Sequence, residues 1–410
     1  MTRDECLAAI AARDGAVHAV WHLDPVATGG AGPLAGVPVL VKDNIAVAGM
    51  PWTAGLAAHR DRIAGQDAPC VAALRTAGAI ILGKVALHEG ALGATTSAPR
   101  RCDNPLAPGF TPGGSSGGSG AAVAAGFAPL AIGTDTMGSV RIPAAYCGVV
   151  GFKPTAGLVG RSLVTPLSST LDTVGMVART LREAALGLAA MVTPDAADPG
   201  WIPAPAGWTA RPGAAADLRM LRLGLPAPAW DAPMEVGLRD SVEAVLDRLR
   251  ASGATLERIA MPGWLPRAAR RAGLLVTEAE AALDHAAIID DPAAASEGFR
   301  AALRYGRDAG AIRLARAFRV LAEARSAALR ALATCDVLLM PTAPQRAFAH
   351  GAPVPDDQAD FTALANIAGL PAISFPCAAP DGGLPGSLQL VGPAWSEARL
   401  VAIAEAISAP

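Results

Sequence analysis

Residues 36 to 85 constrain the fold more tightly than any other part of the chain. The run "GVPVLVKDNI" (36–45) is apolar, bounded by Gly and by Asp/Asn, and reads as a buried strand ending at Lys42. "QDAPCVAALRTAG" follows, with Asp67 in the capping position, Pro69 in the first turn and Gly78 as a stop, so it reads as a helix. "AIILGK" is then a second buried strand. Apolar strands alternating with helices call for an α/β fold whose largely parallel or mixed sheet is covered on both faces.

The same rhythm returns further on. An Ala-rich helix from Gly117 to Gly126 precedes the short strand "PLAIG", and "CDVLLMP", "PAISFP" and "GSLQLVG" read as strands near the other end. "SEARLVAIAEAI" closes the chain as a capped helix. Between about 180 and 334 the pattern changes to long amphipathic helices, such as "VGLRDSVEAVLDRLRASG", joined by the Pro-rich surface loop "DPGWIPAPAGWTARPGAAA". No internal repeat is present. The strands of both ends are therefore expected in one sheet, with the middle helices laid over it.

Composition removes several function classes. Hydrophobic residues make up 52% and charged residues 17%, which excludes a disordered chain. The formal net charge of −2, without a basic block, argues against nucleic acid as a partner. No apolar run reaches membrane-spanning length and the first residues lack a signal-peptide pattern, so a soluble cytoplasmic protein is expected. Six cysteines without a C-x-x-C pair read as reduced thiols, and six histidines form no metal motif.

Lysine is scarce: it occurs only at 42, 84 and 153, against 34 basic side chains in all. Arg cannot lose its proton in a protein whereas a desolvated Lys can, so an Arg-biased chain that keeps a Lys at a strand end points to acid–base chemistry there. Lys84 and Lys153 are read as structural.

The stretch "GFTPGGSSGGSG" (109–120) has the composition of a flexible linker, yet a buried helix and a second Gly/Ser/Thr turn, "TDTMGSV", follow it. A helix of about ten residues runs roughly 15 Å out and a strand of about five residues runs roughly 16 Å back, which places Ser115 and Ser139 side by side at one end of the sheet. Lys42 ends a strand at such an edge, where α/β folds build their sites. A neutral Lys beside two serines can act as a base, and the second turn can aim backbone N–H groups at one point, as an oxyanion hole requires.

On these residues the chain resembles the amidase signature family. "KDN" (42–44), "PGGSSGGSGAAVAAG" (112–126), "GTDTMGSVRIPAAYCGVVGFKPT" (133–155), "PLSSTLDTVG" (166–175), "DVLLMPTAP" (336–344), "NIAGLPAISFP" (366–376) and "GSLQLVGP" (386–393) are similar to its motifs and occur in order. The resemblance implies a single α/β domain over 1–410, with a central mixed sheet covered on both faces, a core of about 25–185 and 335–410, and a variable helical segment of about 186–334. It implies a triad of Lys42, Ser115 on a cis peptide and the nucleophile Ser139. Backbone donors at Thr136, Met137, Gly138 and Ser139 would form the oxyanion hole, with Asp135 and Arg141 paired in support. It implies no metal or cofactor, a small-molecule amide as substrate, and leaves a homodimer open. The same family contains the A-type component of tRNA-dependent amidotransferases, which works beside partner chains.

Two departures stand out. Met137-Gly138-Ser139 replaces the usual Gly-Gly-Ser, and Trp52 stands where a small polar residue is expected. His88 and His350 are read as structural histidines. A competing reading takes "GGSSG" as a nucleophile elbow, with Ser115 as nucleophile and Asp336 and His350 completing an esterase triad; that motif requires a strand immediately before it, where "APGFTP" stands.

Overall fold

Along the strand Pro38–Lys42, successive side chains enter different cores. Val39 and Val41 pack on one face of the sheet and Leu40 on the other. Ile81 and Leu82, Leu130 and Ala131, and Met176 and Val177 divide in the same way. This is the period-two signature of strands buried on both sides.

The computed structural model describes residues 1–214 and 216–409. Its strands are β1 (Val20–Leu23), β2 (Pro38–Lys42), β3 (Ile80–Val85), β4 (Leu130–Asp135), β5 (Val150–Lys153), β6 (Thr173–Ala178), β7 (Arg222–Pro226), β8 (Thr255–Ile259), β9 (Val337–Pro341), β10 (Ala372–Cys377) and β11 (Gly386–Val391). They form one 11-stranded sheet in the order β1-β3-β2-β4-β6-β5-β10-β11-β9-β7-β8. The β2–β3, β2–β4, β7–β8 and β7–β9 pairs are parallel and the others antiparallel, so the sheet is mixed. Helices Pro69–Thr76, Leu181–Met191 and Glu397–Ser408 contribute to the core of one face, and helices Arg3–Val17 and Gly117–Ala124 to that of the other. The architecture is a single α/β domain, and strands from both ends of the chain meet at its centre, where β5 pairs with β10.

The glycines after Ser115 serve this packing. A side chain at Gly118 would run into the backbone of Ala86 at the end of β3, so only glycine lets the 117–124 helix lie this close to the sheet.

Three local expectations are corrected. Asp67 does not cap the helix Pro69–Thr76: Ala68 is the N-cap, while Asp67 accepts from the Ala48 N–H at 2.8 Å and from Arg75 Nε at 2.9 Å. Ser396 is the N-cap of the last helix but gives it no side-chain cap, because its hydroxyl donates to the Pro393 carbonyl at 2.6 Å. The helical middle also contributes β7 and β8, which extend the sheet beyond β9. The six cysteines are free and buried, and no helix among the described residues is long and apolar enough to cross a membrane.

Candidate active site

Lys42 shares its strand face with Leu40, the face on which the 117–124 helix lies. Its side chain therefore meets the turn that opens that helix. Lys42 Nζ is 2.8 Å from Ser115 Oγ and 2.8 Å from Thr134 Oγ1, and Asn44 Nδ2 donates to the same Thr134 oxygen at 3.1 Å. Lys42 and Ser115 are wholly buried. Burial pulls the Lys42 ammonium down to about 7, against the opposing pull of the Asp172 and Asp135 carboxylates. The Gly114–Ser115 bond is cis, and the Ser115 carbonyl accepts from the His88 N–H at 3.0 Å.

The two Gly/Ser turns touch. The Ser116 N–H donates to the Ser139 carbonyl at 3.1 Å, and Ser116 Oγ donates to the Thr134 carbonyl at 3.1 Å. The second turn is held by a buried charge pair. Asp135 and Arg141 are both inaccessible to solvent, with Nη2–Oδ1 and Nε–Oδ2 each at 3.0 Å. Arg141 also donates to Gln389 Oε1 at 2.9 Å and to Asn366 Oδ1 at 2.6 Å, while Asn366 Nδ2 donates to the Asp135 carbonyl at 2.8 Å. A buried pair is tolerated only when its hydrogen-bonding groups are satisfied in this way. Burial opposes ionisation of Asp135, but Arg141 outweighs it and holds the carboxyl at about 2.

The Asp135 carboxylate also accepts from the Gly138 N–H at 2.7 Å and the Val140 N–H at 3.2 Å. Gly138 is thereby occupied, which revises the expected set of oxyanion donors. Among the described residues, the N–H groups of Thr136, Met137 and Ser139 have no hydrogen-bond partner. Gly138 has φ of +129°, and a side chain there would collide with Thr362, whose hydroxyl donates to the Met137 carbonyl at 2.6 Å. The Thr136 hydroxyl donates to Asp172 Oδ1 at 2.6 Å.

Ser139 opens onto a cavity of about 520 Å³. Its lining includes Leu92, Met137, Ile142, Leu274 and Phe299, with Glu89, Arg270, Glu278 and Asp356 as the charged members. Ser139 is half-buried, while Lys42 and Ser115 stand behind it. Of the three, Ser139 alone is accessible from the cavity side, and Ser115 and Lys42 are equally enclosed.

The remaining sequence candidates lie in other settings. Lys84 donates to the carbonyls of Ile45 and Pro51 at 2.6 and 2.8 Å and sits 3.2 Å from Asp43; Lys153 donates to the Pro154 carbonyl at 2.8 Å. Like Lys42, both are fully buried. His350 Nε2 donates to the Cys102 carbonyl at 3.0 Å, and Asp336 pairs with Arg399, so neither completes a triad with Ser115. His88 lines the cavity, and burial together with the Lys42 charge drives its imidazole down to about 4. Trp52 donates from its indole to the Asn44 carbonyl at 3.0 Å under the Arg62 guanidinium. Sequence reasoning passed over Thr134, Asn366, Gln389 and Asp172; all four lie inside motifs quoted above and carried a usable signal.

Comparison with known proteins finds relatives along nearly the whole chain. The family model described as Amidase matches residues 8–401. The A-type component of glutamyl-tRNA(Gln) amidotransferase from Aromatoleum aromaticum is 38% identical over 429 residues, covering 95% of this chain and 86% of that protein. The crystal structure of the corresponding amidotransferase component from Thermotoga maritima superposes with a TM-score of 0.87 at 29% identity, covering 99% of this chain and 94% of that one. Native peptide amidase from Stenotrophomonas maltophilia superposes with a TM-score of 0.84 at 30% identity, covering 99% and 92%. With its motifs, its sheet and these relatives in agreement from one end to the other, the chain belongs to the amidase signature family, whose members act on C–N bonds.

Proposed function

We propose that this protein cleaves a carboxylic amide through an acyl-enzyme on Ser139. The observation that carries the reading is Lys42 Nζ at 2.8 Å from Ser115 Oγ in a fully buried setting that brings the lysine to about 7. A neutral amine there keeps one N–H for Thr134 and turns its lone pair to the Ser115 hydroxyl. Ser115 gives that proton up and takes another from Ser139 as the Ser139 oxygen attacks the carbonyl. The negative charge on the carbonyl oxygen meets N–H groups of the 136–139 loop. Ser115 then returns a proton to the leaving nitrogen, and water releases the acid from Ser139. The half-exposed position of Ser139 on the cavity supports its role as nucleophile over the enclosed Ser115.

The substrate in this reading is a small linear amide. A second reading rests on the curated relatives, which are A-type components of an amidotransferase. In that case the same cleavage takes place beside partner chains, and the nitrogen goes to an acceptor. One assay separates them: free acid and ammonia or amine are quantified for the purified chain over aliphatic amides, aryl amides and glutamine. Turnover by the chain alone supports the amidase. Inertness alone with activity restored by partner chains supports the amidotransferase, and an enzyme that neither turns over nor forms an adduct at Ser139 refutes both.

A further inference from the structure

One wall of the cavity is the helix Pro266–Asp284, which contributes Arg270, Leu274, Thr277 and Glu278 to its lining. Met137 Sδ sits where a side chain at Gly273 would go, so this face of the helix is in contact with the loop that carries Ser139. Two of its groups are charged, and they are treated differently. Arg270 is neutralised locally: its Nε is 2.5 Å from Asp360 Oδ1 and its Nη2 is 3.7 Å from Asp356. Glu278 is only 9% exposed, yet among the described residues nothing donates a hydrogen bond to its carboxylate and no cation lies within ion-pair distance. An unpartnered carboxylate in such a place is costly unless a ligand completes it.

The rest of the lining has the same sign. Three carboxylates (Glu89, Glu278 and Asp356) face one guanidinium, and His88 is neutral near pH 7. Glu89 already accepts from the Ser296 N–H at 2.9 Å and from its hydroxyl, and Asp356 pairs with Arg267 at 2.9 Å near the rim. Glu278 is the inner carboxylate left for a ligand. Burial raises its carboxyl to about 7, and the nearby Arg313 charge pulls the other way; a bound cation would restore the ionised form.

We propose that Glu278 is a specificity-determining residue that selects amides carrying a primary ammonium group remote from the scissile carbonyl. The inference rests on the amide-cleaving reading of the Ser139 site. Glu278 lies five residues beyond Gly273, about 7.5 Å further along the helix axis, so the ammonium it holds stands away from the Ser139 loop. Acidic substrates are disfavoured by the same field.

The test is calorimetric binding at pH 8 of hexylammonium, 1-hexanol and hexanoate, which share one length and differ in the end group. The intact protein is expected to bind hexylammonium at least tenfold more tightly than hexanol, and hexanoate more weakly than either. Glu278→Gln should bring the ammonium-to-alcohol ratio to about one, and Glu278→Asp, which keeps the charge, should restore part of it; melting curves confirm that both are folded. Equal affinities in the intact protein, or a preference that survives Glu278→Gln, overturn the proposal. Failure of the underlying reading shows separately, as the absence of a fluorophosphonate adduct on Ser139 of the same preparation.

Discussion

The carboxylate of Asp135 holds the backbone N–H of Gly138 at 2.7 Å while forming a two-pronged pair with Arg141. The loop beside Ser139 is thus shaped from within by one side chain. Asp135→Asn removes the charge but keeps an acceptor, leaving the Arg141 guanidinium buried and uncompensated. Breaking such a pair costs about 3–5 kcal/mol, and urea unfolding should show a loss of that size. A loss below about 1 kcal/mol would mean that Gln389 and Asn366 suffice to hold Arg141.

Ser139→Ala should abolish labelling by a fluorophosphonate and leave no turnover above background. Mass spectrometry of the labelled intact protein should place the adduct on Ser139. An adduct on Ser115 or Ser116 would instead make the first Gly/Ser turn the nucleophile.

A lysine brought to about 7 is neutral above that pH and protonated below it. The logarithm of kcat/KM should therefore fall with a slope of about one on acidification below about 7. Glu278 titrates in the same range, so the limb must persist in Glu278→Gln for the assignment to Lys42 to stand. Lys42→Arg should be nearly as damaging as Lys42→Ala, since Arg keeps its proton; substantial turnover in Lys42→Arg would reduce Lys42 to a structural cation.

Met137 has an ordinary negative φ, so its backbone makes no demand for glycine, and its side chain lies between the cavity and the 266–284 helix. Met137→Gly should keep turnover of small acyl amides within about tenfold, roughly 1.4 kcal/mol, and raise the relative rate of bulky ones. The check is kcat/KM over acyl groups of increasing size. A uniform loss would place the effect in the oxyanion loop, and an unchanged series would remove Met137 from the pocket.

Much of the site can be read from local pattern. A strand that stops at Lys42, and two Gly/Ser turns one helix and one strand apart, already bring three residues together, because spacing along regular elements is fixed by geometry. The partners of Arg141 are harder to see. Gln389 and Asn366 are 248 and 225 residues away, and only the β5–β10–β11 pairing puts them there. Strands β7 and β8 escaped because "RLGLP" and "TLERI" are short runs set among strong helical periodicity, and their assignment depends on the edge of β9. Asp67 met the rules for a cap yet bonds to Ala48, a tertiary contact overriding a local preference. The wall bearing Glu278 belongs to the helical segment in which the family motifs give no guidance.

All three lysines are sealed inside the fold, at 0% exposure. The native surface thus offers no ε-amine to an acylating reagent, although the Lys42 amine is deprotonated at a pH where surface lysines are still cations. Amine-directed chemistry on the ε-amines becomes a clock for opening of the structure: modification of Lys84 and Lys153 waits on disruption of the interior strands that carry them. Lys42 can be reached sooner only by a reagent that enters through the substrate cavity.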